Sequence, residues 1–356
     1  MRTTSRNKKN NNNTRKIRKQ DPLYKVKRIS DPITVALYVK DGKRILLLGD
    51  QHLVNKYCKK CEAPDCLDYL SLVKALDDYH KDTGTELDVY IETFAPNDGT
   101  STFGKGLLYL QNSILGRQEF IDKNTPLRIY NVRKALTLKA YFHGKEARRY
   151  HYIDFRLTEL FEKYGFSIFD ILHGILQGSE EDVKKYHENF LKMYPTKSSY
   201  VDIIKQFCFA KKFDPSLKDR SLLSQGMTKP AKQFNKLPLK EQRLVKSFIM
   251  KQIKYYMTTY DYKNIHGFAS NVFYISMMIM DTYAICRFLY YHAKQPEGST
   301  SLFIAGASHT NTYALFLEEW GAKQIYEHTY NFFDVKYKAC TKVDFKSLIE
   351  QNVPPS

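Results

Sequence analysis

Two stretches of this chain are built alike, and together they restrict its fold more than any other feature. Residues 44–48 (RILLL) form an apolar run that stops at Gly49, and His52 follows three residues later. Residues 301–305 (SLFIA) stop at Gly306, and His309 follows at the same spacing. Each run reads as a short strand closed by a turn. Open α/β sheets bind ligands outside the carboxyl ends of their strands. A Gly at that point turns tightly without a Cβ penalty, and a His three residues on can look back over the sheet edge. Two such turns on neighbouring strands place two imidazoles at one crevice. Imidazole titrates near neutral pH and is a common metal ligand.

The rest of the chain fits a sheet of this kind. Residues 33–39 (ITVALYV) precede the first motif, and Asp41-Gly42 between them reads as a hairpin turn. Residues 67–80 carry apolar side chains at helical spacing: Leu67, Leu70, Val73, Leu76 and Tyr79. Further strands are expected at 87–91, 128–132 and 151–155. From Leu157 to about His292 helical patterns take over, broken near Pro195, Pro215 and Pro238. They include a long apolar helix at 268–291. The sheet resumes at 301–305, followed by a helix at 311–320 and strands at 324–330 and 331–338. Alternating strands and helices predict an α/β fold. The expected form is a mostly parallel or mixed central sheet flanked by helices, with a large helical insertion in mid-chain. Residues 31–345 are read as one domain, with 157–295 as the insertion or cap. Residues 1–30 are read as a disordered basic tail and 346–356 as a flexible C-terminus.

Charge is concentrated in that tail. The chain of 356 residues carries +18, and residues 1–30 hold eleven Lys or Arg against the single acid Asp21, a net +10. The tail is suited to polyanion contact through phosphates, or to nuclear targeting through residues 15–19. It lacks aromatic interleaving before Tyr24, and no nucleic-acid-binding fold signature accompanies it. A hydrophobic content of 43% excludes global disorder. The apolar run at 272–280 is cut by Asp281 and later by Arg287, well short of the ~20 residues a membrane span requires. No transmembrane segment and no secretory signal are read. The chain is expected to be intracellular, in cytoplasm or nucleus, or packaged in a virion. Its six cysteines are then expected as reduced thiols or metal ligands. Cys58, Cys61 and Cys66 lie within nine residues and suit a zinc site, a disulfide or unligated loop thiols.

Three further side chains join the two histidines as candidates. Glu92 ends the strand at 87–91 and lies at the same sheet edge if the strands are parallel. A carboxylate there serves as acid or base, orients a His or binds metal. Asp154 and Arg156 end the strand at 151–155; Arg156 suits a carboxylate or phosphate clamp, an oxyanion stabiliser or a structural pair with Asp154. Arg287 stands in an apolar helix and needs a partner, because unpaired buried charge is costly. It either faces the crevice or pairs with a core acid.

The order of Gly49–His52, strand-end Glu92 and Gly306–His309 resembles the TIKI/TraB, ChaN-like and erythromycin-esterase-like superfamily. The likeness covers residues 33–335 by order of elements and is close only at 44–52, 87–93 and 301–309. It implies an active centre of His52, Glu92 and His309. The three branches imply, in turn, metal-dependent peptide hydrolysis, haem or iron handling, and ester hydrolysis with His as base. Asp50 departs from the small or hydroxyl residue usual after the Gly and is read as an added ligand or as the mark of a different chemistry. The Asn-rich tail and the Tyr/Lys-rich composition look like proteins of large DNA viruses. The first expectation is therefore a hydrolase of peptide or ester bonds. Water would be activated by His52, or by zinc, manganese or cobalt held by His52, Glu92, His309 and Asp50. Arg156 or Arg287 would stabilise developing negative charge. The alternatives are a non-catalytic binding protein for haem or a host factor, and a basic virion or nucleic-acid-associated protein.

Overall fold

The first hairpin closes at Asp41 and Gly42, where the backbone turns left-handed with φ of 49° and 70°. Two successive positive φ values match the twist of the strands they join. The structure, a computed structural model, describes residues 26–29, 34–50, 66–67, 69–92, 149–153, 180–193, 196–211, 229–261, 263–329 and 341–342. After β1 (Arg28–Ile29), the hairpin links β2 (Thr34–Lys40) to β3 (Lys43–Asp50) in a register running from Lys40↔Lys43 to Thr34↔Gly49. The chain continues through β4 (Cys66–Leu67), α1 (Tyr69–Thr83), β5 (Leu87–Ile91) and β6 (Arg149–Tyr152). A helical stretch follows: α2 (Glu180–Met193), α3 (Lys197–Phe209), α4 (Lys229–Phe234), α5 (Leu239–Thr259) and α6 (Ile265–His292). Then come β7 (Thr300–Gly306), α7 (Ala307–Glu319), β8 (Lys323–Thr329) and β9 (Thr341–Lys342).

The architecture is α/β with a mixed sheet. Among the described residues its strands lie in the order β6-β5-β7-β3-β2-β8. β6, β5, β7 and β3 run parallel, and β2 is antiparallel to both β3 and β8. β4, β1 and β9 form a separate small sheet. The strand expected at 151–155 begins two residues earlier, paired Tyr90↔His151 with β5. Strands expected at 128–132 and 331–338 lie outside the described residues.

Alternation along the strands splits the core in two. Val35, Leu46, Leu48, Val89, Ile91, Leu302 and Ile304 pack with Leu72, Val73 and Leu76 of α1. Tyr38, Ile45, Leu47, Tyr90, Phe303 and Ala305 face the other way, against α5, α6 and α7. Phe248, Phe268 and Phe288 are under 2% exposed on that side, and burying each contributes roughly 1.5–3 kcal/mol. Met277, Met278 and Met280 are buried in the same cluster. No helix among the described residues is long and apolar enough to cross a membrane.

The thiol expectation needs one correction. Cys66 is disulfide-bonded, and a sulfur held in that bond is not a thiolate ligand. Cys58 and Cys61 lie outside the described residues. Cys208 and Cys286 are free and buried; burial pushes the Cys208 thiol up to about 12.

His292 couples this core to pH. Its ring is 2% exposed, edge-on to Trp320 with centroids 5.1 Å apart. Burial, reinforced by the Lys43 ammonium, holds it down to about 3, from 6.5. The folded chain keeps this imidazole neutral while the unfolded chain protonates it below about 6.5. Stability from this group is therefore complete above pH 6.5 and falls as pH drops toward 3, by about 1.4 kcal/mol per unit. Urea melts of the wild type and His292→Gln between pH 7 and 4 should show a shallower acid slope in the variant. Equal slopes would refute the assignment.

Candidate active site

Three strand ends meet at one edge of the sheet. Asp50 closes β3 in register with Gly306, which closes β7. The Glu92 N–H, one residue past β5, donates to the Ile304 carbonyl at 2.9 Å. α7 starts at Ala307 directly after Gly306, so His309 stands in its first turn.

Gly49 permits this close assembly. It does not have a left-handed φ, so its role is space, not turn conformation. A Cβ there would run into Thr34 Oγ1 and Thr310 Oγ1 and come within 3.0 Å of Ala307 Cα. The missing side chain lets α7 sit down on β3.

The side chains then form a buried line. Glu92 Oε2 accepts the Gly306 N–H at 2.6 Å, which places a carboxylate at the N-terminus of α7 where unpaired amides favour negative charge. Glu92 Oε1 stands 3.7 Å from His309 Nε2. On the other side of the ring, His309 Nδ1 is 2.7 Å from Asp281 Oδ1 of α6. The side chains of Glu92, His309 and Asp281 are 2%, 8% and 0% exposed. Burial pushes the Asp281 carboxyl up, while His309 and then Tyr313 pull it back down. In its ionised state Asp281 only accepts, and a neutral His309 then carries its hydrogen on Nδ1 with Nε2 turned toward Glu92.

Of the residues expected from sequence, Glu92 and His309 come together here. The backbone of Asp50 reaches the same edge; its side chain, His52, Asp154 and Arg156 lie outside the described residues. Arg287 is bound by other side chains. Its Nε donates to His151 Nδ1 at 2.8 Å and its Nη1 to the Tyr283 hydroxyl at 3.0 Å. Its expected core-acid partner is thus a histidine and a tyrosine. Among the described residues no group of three or more His, Cys, Asp or Glu side chains is arranged to hold a metal ion. Asp281 stands behind the imidazole instead of beside it, which leaves His309 Nε2 and Glu92 Oε1 as the facing donors.

Asp281 was not among the residues expected from sequence to form the site. Its signal was present: it is the one acid between Ile265 and His292, and a buried charge in an apolar helix requires a partner.

No family model, curated protein or solved structure matches this chain. The functional reading rests on the residues themselves.

Proposed function

We propose that this chain is a hydrolase of peptide or ester bonds, with Glu92 and His309 at its centre, His52 joining them and Asp281 orienting His309. One observation carries the reading. His309 Nε2 and Glu92 Oε1 face each other at 3.7 Å while Nδ1 stands 2.7 Å from a buried carboxylate, and with the ring neutral and its hydrogen on Nδ1 both facing atoms are acceptors. Two acceptors so placed favour a proton, a polarised water or a cation between them. A carboxylate behind a His fixes its tautomer and raises the basicity of the outward nitrogen.

His309 is the base in this reading, taking a proton from water at Nε2. Glu92 orients that water through Oε1 and is itself held by the Gly306 N–H. The donor set also suits a divalent cation, with His309 and Glu92 as ligands and His52 and Asp50 completing the set. Zinc, manganese or cobalt would supply Lewis acidity and a water of lowered pKa. The resemblance to the TIKI/TraB, ChaN-like and erythromycin-esterase-like superfamily agrees with either route, and so does the run of helices α2 to α6 between β6 and β7. Arg287 is held by His151 and Tyr283 and is not one of the groups that activate water in this reading.

The test is a screen of purified full-length protein against peptide and ester libraries, with and without chelator. Hydrolysis lost on chelation and restored by zinc, manganese or cobalt is the expected result of the metal route. Hydrolysis that survives chelation and disappears in His309→Gln is that of the metal-free route. Hydrolysis that persists undiminished in both Glu92→Gln and His309→Gln would refute the proposal.

A further inference from the structure

Among the described residues no carboxylate pairs with Arg287. It is half-buried on α6. Its partners are the ring nitrogen of His151, the hydroxyl of Tyr283, and the rings of Tyr283 and Tyr291 at 5.8 and 5.4 Å from the guanidinium carbon. None is a carboxylate. A half-buried cation held among the described residues only by neutral groups is favoured by an anion that joins it.

The neighbours hold this guanidinium in place and do not neutralise it. His151 accepts at Nδ1, so its hydrogen is on Nε2, which lies 3.9 Å from Asp88 Oδ2. Asp88 is fixed in turn by Gln295 Nε2 at 2.8 Å. Nε and one Nη1 hydrogen of Arg287 are committed to the protein, and the two Nη2 hydrogens with the second Nη1 hydrogen remain to bind an oxyanion. A second positive charge stands nearby. Lys229, at the start of α4, has its ammonium pushed down by burial, then by the charges of Arg287 and Lys232.

We propose that Arg287, with Lys229 beside it, binds a compact oxyanion, a carboxylate or phosphate group carried by the ligand of this protein. The site lies close to the proposed centre. His151 pairs with Tyr90, one strand across and two residues before Glu92, a separation of roughly 8 Å between backbones. If the hydrolase reading holds, the substrate is acidic, with its anionic group about that far from the bond cleaved. Oxyanion binding itself does not depend on catalysis.

Titration calorimetry on the full-length protein at constant ionic strength tests this, with inorganic phosphate and with acetate as probes. The expected result is binding of at least one probe, weakened about tenfold by Arg287→Gln, less by Arg287→Lys, and about threefold by Lys229→Gln. Tighter phosphate binding would assign a phosphorylated ligand, and tighter acetate binding a carboxylate. Lys229 is partly covered but keeps much of its surface in water, so its variant reports even if Arg287→Gln misfolds. His309→Gln should bind both probes as the wild type does, which separates this site from the proposed catalytic centre. Binding unchanged in Arg287→Lys and Lys229→Gln, or no binding of either probe, would overturn the inference.

Discussion

On the proposed hydrolase reading, Asp281→Asn will lower hydrolysis on the order of a thousandfold or more while leaving the fold stable. The size follows from what an amide does behind a catalytic imidazole: it can donate to the ring, stabilise the wrong tautomer and cost about 10⁴-fold. Asp281 Oδ1 lies 2.7 Å from His309 Nδ1, close enough for this substitution to act on the tautomer directly. With Asn, Nε2 carries the hydrogen and no lone pair faces Glu92. Stability moves differently. Burial raises the Asp281 carboxyl above 3.8, so its ionised form is disfavoured in the folded chain. That group's contribution is best at pH below 3.8 and declines as pH rises through its folded value. Removing the charge removes that decline, and the melting temperature at pH 7 should hold or rise. Imidazole nitrogen shifts in an NMR spectrum give a readout independent of substrate, with hydrogen at Nδ1 in the wild type and at Nε2 in the variant. Wild-type shifts and rates in Asp281→Asn would reduce the acid to a packing role. Glu92→Gln should lose activity to a similar extent, and the double variant should lose little more, because the two act through one ring.

Part of this site could be read in the sequence and part could not, for a physical reason. Gly306 and His309 were legible because strand, turn and helix start are local: three residues set their geometry. Glu92 was legible as the end of an apolar run. Its partner amide at Gly306 was not, since that bond joins positions 214 residues apart and depends on β5 lying beside β7. The same holds for Asp281, which reaches His309 only through the seating of α6 on the sheet. Sequence marked it as an interruption of an apolar helix, a cost needing repayment, without naming the partner. Arg287 carried the same mark and was expected near the crevice or on an acid; the helix turns it to His151. The hairpin at Asp41-Gly42 was fully legible, because turn chemistry is written in two residues. Gly49 was legible as a residue but not in its purpose. A tight turn was expected, and the backbone there is not left-handed.

That purpose supplies the largest expected effect on stability. Gly49→Ala puts a methyl where Thr34 Oγ1 and Thr310 Oγ1 already sit, with the Ala307 Cα at 3.0 Å. Thr34 belongs to β2 and pairs with Gly49 in register, so its backbone cannot step aside without spoiling the ladder, and relief there needs its hydroxyl to rotate away. Ala307 is backbone at the first residue of α7, so relief there means lifting the helix. Overpacking of a well-filled core costs about 1–3 kcal/mol, and collision with backbone puts this site at the upper end or beyond. A drop in melting temperature of roughly 5–10 °C is expected. Lifting α7 also moves His309 away from Glu92 and Asp281, so activity should fall further than unfolding alone explains. Removing both hydroxyl oxygens tests the cause. Thr34→Ala with Thr310→Ala, added to Gly49→Ala, should recover a large part of the lost stability, although the same pair in the wild-type background costs some. A Gly49→Ala protein that melts within about 2 °C of wild type would show that α7 does not rest on β3 as described. No recovery in the triple variant would place the strain at Ala307 rather than at the two threonines.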